Sequence, residues 1–379
     1  MTALKWNKLI GQQRIKNVLD SAFVNKTLGH AYLFCGEAGT GKFAAALDLA
    51  MALLCQREES RPCGVCLACK KTASYSHPDF HVIMPVLLQA EHKKESSLNE
   101  QGWQFVASCA KSRIEDPYKL PEHGGIPDIP VDWMREAIQA VQRGGAEGGY
   151  NVTIMDGVES MKKETANAIL KTLEEPPPGT IIIALTNRIN YVLPTIISRC
   201  QVLRFSYLTP ETINAELCRR FNVDSGDPRV ELAAAGGSLG AAITEFENPE
   251  TEWFEAAASI WNSCMAQDWQ AVSVRVDSLG GGAEGYLACH KIFKSLLRLL
   301  RTAFLRKFSA PVNYFKSNIK MPCQIELPET VTPYDAEKFI RLCQEAMRAL
   351  ESRGNSGLVL VNFLCSLMEI LNGKKQQTC

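Results

Sequence analysis

The sequence predicts an α/β domain built on a parallel sheet, followed by an all-helical region. Three observations carry this. An apolar run at 30–35 leads through the glycine-rich stretch Gly36-Glu-Ala-Gly-Thr-Gly-Lys42 into an Ala-, Leu- and Met-rich helix at 43–54. Four more strand-like runs follow at 80–84, Asn151–Met155, Thr180–Thr186 and 201–205, separated by helical patterns such as Val131–Gln142 and 164–174. Continuous apolar strands alternating with helices mean a parallel sheet covered on both faces. From 253 to 372 helical periodicity dominates instead.

Strand, glycine loop, helix is the context in which backbone N–H groups close on phosphate oxygens. Gly36, Gly39, Thr40 and Gly41 are the candidate cradle, and Lys42 adds a positive charge. The next position, where a Ser or Thr hydroxyl would hold magnesium, is Phe43. The loop therefore suits a phosphate, with ATP or ADP as the expected ligand class, and serves magnesium poorly.

Cys55, Cys63, Cys66 and Cys69 follow directly, spaced Cys-x7-Cys-x2-Cys-x2-Cys with Gly64 inside the turn. Four soft ligands on a tight turn predict one tetrahedral Zn²⁺ in a closed, structural site. Lys70 and Lys71 stand next to it as charges that offset the thiolates. An iron–sulfur cluster is the rival, but its run calls for a fourth cysteine where this chain has Ala73.

Composition narrows the class. The 379 residues leave room for two or three domains. Fourteen cysteines, ten of them outside the cluster, suit a reducing cytoplasm better than a disulfide scaffold. The N-terminus lacks a signal peptide's apolar core, and no run approaches membrane-spanning length. With 41 basic and 41 acidic side chains the chain is no free-standing DNA binder held by bulk charge.

Between Pro85 and Pro130 the alternation breaks down, and a polar then Pro/Gly-rich stretch reads as a surface insertion with a helix near 103–110. After it, Asp156 ends an apolar strand, the position from which a carboxylate holds magnesium in phosphate-loop ATPases. Gly157 stands where related motors place the glutamate that activates water, and Glu159 falls on the following turn. Asn187 closes the next strand, either reaching a γ-phosphate or simply ending the strand. In 291–307, Lys291, Lys294, Arg298 and Arg301 share one helical face opposite Ile292, Leu296, Leu299 and Ala303; a solvated face is the simpler reading, a DNA or partner contact the other.

Three stretches together resemble the bacterial sliding-clamp loader. They are Tyr150-Asn-Val-Thr-Ile-Met-Asp156, Ala166-Asn-Ala-Ile-Leu-Lys-Thr-Leu-Glu-Glu-Pro-Pro-Pro178 and Ile197-Ser-Arg-Cys-Gln201. With the cysteine knuckle and His77-Pro-Asp79, the pattern is most similar to the delta-prime subunits of DNA polymerase III, related to the tau/gamma motor subunit. It covers residues 1 to about 245. Beyond that it rests on Arg353-Gly-Asn-Ser-Gly-Leu-Val-Leu-Val-Asn-Phe-Leu364, similar to the family's last collar helix.

The resemblance implies an AAA+ phosphate-loop domain at 1–207 carrying the zinc module (55–69) and the 85–130 insertion. A helical lid at 208–248 should follow, starting near Thr209-Pro-Glu, then a helical collar at 249–379. It implies one place in a hetero-pentameric ring with tau/gamma and delta subunits, meeting the sliding clamp and primer–template DNA through that complex. Motor subunits carry a nucleotide-contacting arginine where this chain has Gly240. Phe43, Gly157 and Gly240 together imply a stator without intrinsic ATPase, the alternative being a hydrolysing motor. The stator's contribution is then Arg199, acting in trans on a neighbour's nucleotide; without the resemblance, Arg199 reads more simply as a structural arginine paired within its own chain.

Overall fold

The computed structural model describes residues 4–94, 97–120, 127–147, 149–234, 236–247, 251–271, 274, 282–308, 323–329, 331–351 and 355–372. Five strands form one parallel sheet: β1 (Ala31–Cys35), β2 (Phe80–Ile83), β3 (Asn151–Met155), β4 (Thr180–Thr186) and β5 (Gln201–Arg204). Their spatial order is β2-β3-β4-β1-β5. Every residue of β1, β3 and β4 is buried, as expected for strands covered on both faces. The edge strand β5 is mostly exposed or half-buried, with only Leu203 buried. The expected strand positions agree with these to within one residue.

Register decides which residues share an edge. Cys35 lies beside Thr186 in β4 and Arg204 in β5, while Met155 pairs with Ala184. The segments leaving β1, β3 and β4 therefore emerge together at the carboxyl edge, where open α/β sheets place their ligands.

The helices of the first part are α1 (Gln13–Val24), α2 (Lys42–Leu54), α3 (Leu67–Ala73), α4 (Glu100–Glu115), α5 (Val131–Gln142), α6 (Lys163–Glu174) and the short α7 (Pro194–Ile197). All thirteen residues of α2 are buried. Its one carboxylate, Asp48, accepts from the backbone N–H groups of Lys8 at 2.8 Å and Leu9 at 2.9 Å. The 85–130 segment holds the helix expected within it, longer than the sequence pattern suggested. Helix α4 runs from 100 to 115 rather than 103 to 110, with Asn99 capping it through the Gly102 N–H. Val106, Ala110 and Ile114 recur every fourth residue, so α4 has a buried stripe, and Tyr118 and Ile129 beyond it are buried as well.

Two compact units emerge. Among the described residues, the first comprises those within 4–120, 127–225 and 236–246; the second takes 226–234 and those within 247–372. Thr209 caps α8 (Pro210–Phe221), with proline in its first turn. This helix and most of α10 (Leu239–Glu247) fall in the first unit, whereas α9 (Pro228–Ala234) falls in the second. The second unit continues with α11 (Thr251–Ala266), α12 (Gly282–Phe308), α13 (Pro333–Glu351) and α14 (Ser356–Asn372). Arg353 and Gly354 of the last quoted stretch lie outside the described residues, but its remainder opens α14. Trp261 centres this core: it is fully buried, packs edge-on to Phe339 at 5.6 Å and donates its indole N–H to the Glu326 carbonyl. On α12 the Lys291 and Arg298 cations lie over the rings of Trp253 and Phe254, each at 5.5 Å. Among the described residues no helix is long and apolar enough to cross a membrane.

Candidate functional site

The loop from Gly36 to Gly41 leaves β1 at the carboxyl edge, and α2 begins at Lys42. The Lys42 ammonium is almost entirely buried and donates to the carbonyls of Gly36 and Glu37, both at 2.7 Å. Burial lowers its pKa to about 8, against the opposing pull of Asp156, Glu159 and Glu37. Thr40 is fully buried, and its hydroxyl donates to the Glu37 carbonyl at 2.7 Å. Gln12 spans the loop's far side, donating to the carbonyls of Thr40 at 3.1 Å and Ser206 at 2.6 Å.

The start of α10 closes over this loop. The Ser238 hydroxyl donates to the Ala38 carbonyl at 2.7 Å, and the Gly240 N–H donates to the Gly39 carbonyl at 3.1 Å. A Cβ on Gly240 would lie 2.5 Å from the Tyr118 carbonyl oxygen and 2.9 Å from the Gly39 Cα. Close approach of two backbones, from the insertion and from the phosphate loop, thus bars any side chain at position 240.

Asp156 stands at the same edge, one residue past β3. Its Oδ2 accepts from Nε of Arg113 at 3.1 Å, and the same oxygen lies 3.1 Å from an Nη of that guanidinium as an ion pair. Arg113 belongs to α4, and its guanidinium lies 4.6 Å from the centre of the Phe43 ring. Sequence reasoning missed Arg113; the available signal was a magnesium-type carboxylate facing a loop whose hydroxyl had become Phe43. It missed Gln12, Tyr118 and Ser238 for the same reason, since their roles depend on contacts remote along the chain. Glu159 lies on the turn after β3 as expected, and accepts the Asn187 N–H at 3.0 Å. Asn187 itself is exposed. The structure thus gathers Gly36, Gly39, Thr40, Gly41, Lys42 and Asp156 at the carboxyl edge of the sheet.

Arg199 lies elsewhere. It sits between α7 and the first residue of β5, and Gln201 pairs with Tyr32 near the start of β1. This is the amino edge of the sheet, opposite the phosphate loop. A seven-residue strand such as β4 spans ~20 Å between the two edges. The Arg199 guanidinium donates to Glu174 at 2.5 Å and to the Thr195 carbonyl at 2.8 Å, with its side chain 33% exposed.

The four cysteines converge as a cluster that could hold a metal ion, with ligand atoms all within 4.8 Å of one another. Cys55 ends α2, and Cys66 caps α3 by accepting the Cys69 N–H at 3.4 Å. The Cys66 N–H points in turn at the Cys63 sulfur, at 3.3 Å. The Cys55–Cys66 and Cys63–Cys69 sulfur pairs are each 3.9 Å apart. A tetrahedron of ~2.3 Å metal–sulfur bonds has edges of about 3.8 Å, so the spacing suits one ion rather than a cluster interposed between thiolates. Lys71, expected to offset these thiolates, pairs instead with Glu147, because Asp79 accepts the Ala146 and Glu147 N–H groups and holds that loop beside it.

A family model described as DNA polymerase III, delta subunit matches residues 11–209. The chain is 31% identical over 216 residues to DNA polymerase III subunit delta' of Bacillus subtilis, covering 57% of this chain and 54% of that one. It is 33% identical over 212 residues to the delta' subunit of Pseudomonas aeruginosa, covering 55% and 53%. Against the tau subunit of B. subtilis it is 29% identical over 246 residues, 63% of this chain and 37% of the other. The chain thus spans about half the length, or less, of these curated relatives. A solved gamma subunit-related protein from Thermotoga maritima aligns over 94% of this chain and 98% of its own, with a TM-score of 0.45 at 15% identity. With more than half of its 379 residues matched by the family model, the chain belongs to the DNA polymerase III delta-subunit family, and the relatives most like it there include delta' subunits.

Proposed function

We propose that this chain is a stator subunit of the DNA polymerase III clamp loader, completing a neighbour's ATP site instead of running its own. It takes one place in a hetero-pentameric ring with tau/gamma and delta subunits, and meets the sliding clamp and primer–template DNA through that ring. The observation that carries this reading is the separation of Arg199 from the chain's own phosphate loop, at opposite edges of one sheet. An arginine there is out of reach of its own pocket and open to a nucleotide on an adjacent subunit. Its fork of donors suits a γ-phosphate as charge shifts in the transition state. The Glu174 pair does not oppose this, because a half-exposed ion pair is worth only ~0–1 kcal/mol and is readily exchanged for a phosphate.

The chain's own pocket supports the same reading. Lys42, the loop backbone and Asp156 could serve an ATP or ADP ligand, but Phe43 offers no hydroxyl, Gly157 no base and Gly240 no arginine. Lys42 and Asp156 are the features that favour the alternative, a hydrolysing motor. The cysteine cluster is proposed as a structural Zn²⁺ site: its four ligand positions are filled by thiolates, leaving none for substrate.

The test is to assemble the ring with Arg199→Ala and assay clamp- and DNA-stimulated ATPase. The stator reading expects an intact ring, unchanged folding of this subunit and a loss of about 10³-fold or more at the adjacent motor site. Normal hydrolysis and clamp loading by that ring would exclude the trans role. ATP turnover by the isolated chain, abolished by Lys42→Ala, would restore the motor reading.

A further inference from the structure

Magnesium does not fit this phosphate loop. The ion demands near-octahedral oxygen ligands, usually drawing on one or two carboxylates alongside water and phosphate oxygens. Phe43 presents a buried ring where a hydroxyl would be, and one Asp156 oxygen accepts the Arg113 Nε–H and is ion-paired with the same guanidinium. We propose that Arg113 is a resident cation occupying the divalent-ion position of this pocket, and that supplying it is a role of the 85–130 segment.

Four observations converge on that assignment. The guanidinium hydrogen-bonds through Nε to the carboxylate just past β3 and is ion-paired with it at 3.1 Å. It is fixed from behind, since Nη1 donates to the carbonyls of Pro117 at 2.9 Å and Lys119 at 2.8 Å. Its face covers the Phe43 ring at 4.6 Å, a contact that a Thr or Ser at this position would not provide. Lastly, only 11% of the Arg113 side chain and 19% of the Asp156 side chain are exposed, so bulk water competes weakly for the pair. A divalent ion entering here would have to displace the guanidinium from Asp156 and from both carbonyls. It would then face the displaced charge, with the Lys42 ammonium also nearby. The aromatic ring at 43 and Arg113 thus act as one unit, the ring giving the guanidinium a face to rest on. A phosphate ligand would bind this loop as its metal-free form, its charge met by Lys42, Arg113 and backbone N–H groups.

The inference rests on reading Gly36–Lys42 as a phosphate loop and is independent of Arg199. A failed metal experiment on the isolated chain is therefore distinguishable from a failed trans-stimulation experiment on the ring. The probe is Mn²⁺, followed by electron paramagnetic resonance on the full chain, with and without ADP, zinc being supplied beforehand. The wild type should show no Mn²⁺ binding that Asp156→Asn removes. The double variant Arg113→Ala/Phe43→Thr should gain one such site, lost again on adding Asp156→Asn. Asp156-dependent Mn²⁺ binding by the wild type overturns the proposal, and so does a folded double variant that gains none.

Folding supplies a second measurement should the double variant be unstable. Arg113→Ala leaves Asp156 without its cation and should lower the folding equilibrium constant by roughly tenfold to a hundredfold or more, with Asp156→Asn in the same chain recovering most of it. Independent, additive effects of the two substitutions would remove Arg113 as the cation of this pocket.

Discussion

Gly39→Ala tests whether the start of α10 truly locks the phosphate loop. Gly39 has φ +72°, where an L side chain costs about 1–2 kcal/mol. Its Cβ would also lie 2.4 Å from the Ser238 Oγ, 2.8 Å from the Gly240 nitrogen and 2.9 Å from the Gly240 Cα. Two of those atoms are backbone, so relief requires the whole 238–240 segment to withdraw by about 1 Å or the loop to deform. Withdrawal sacrifices the Ser238–Ala38 and Gly240–Gly39 hydrogen bonds, each worth about 1 kcal/mol. Strain and lost bonds together amount to roughly 3–4 kcal/mol. In a unit of this size that lowers the midpoint by on the order of 10 °C. Gly144→Ala is the matched control, having φ +79° but nothing within 4 Å of the added Cβ, so that it carries only the strain. Calorimetry on both variants, with amide exchange followed at Gly240, reads the difference directly. If Gly39→Ala costs no more than Gly144→Ala, or if the Gly240 amide keeps its protection, the lock is not there.

Other outcomes follow from single residues. Cys66→Ser should release the metal and melt the 55–73 segment at a lower temperature, with elemental analysis finding about one zinc per wild-type chain; iron with sulfide would refute the assignment. Burial pushes the Asp48 carboxyl up from 3.8 to about 6 despite the N–H groups it accepts, so the folded state holds that proton more tightly than the unfolded chain. Its contribution is therefore fully present below pH ~4 and lost as pH rises through about 6. Unfolding titrations should differ from those of Asp48→Asn by ~2–3 kcal/mol across that window, and a difference of opposite slope would contradict the burial argument. Trp261→Ala should cost the second unit about 3–5 kcal/mol, read by chemical denaturation, because a fully buried ring and its hydrogen bond to Glu326 are lost together; a cost below 1 kcal/mol would mean that this core is not packed as described.

What the sequence determined by itself is whatever depends on near neighbours. Apolar runs such as Asn151–Met155 and Thr180–Thr186 declared themselves as strands, because a strand buried on both faces needs no polar residue. The phosphate loop and the four cysteines were legible because glycine conformation and thiolate spacing are local requirements. Tertiary structure alone decided which distant residues meet. Asp156 and Arg113 stand 43 residues apart, and nothing in the polar 85–130 stretch marks Arg113 above its neighbours until the stripe Val106, Ala110 and Ile114 is buried. Gly240 read as a missing arginine, yet its cause is the Tyr118 carbonyl and the Gly39 backbone pressed against it. Arg199 and the phosphate loop flank the same sheet, and only the parallel register assigns them to opposite edges. Periodicity and spacing encode how a segment folds. The identity of its partner is a property of packing, in which contacts far apart in the chain are chosen by shape and charge together.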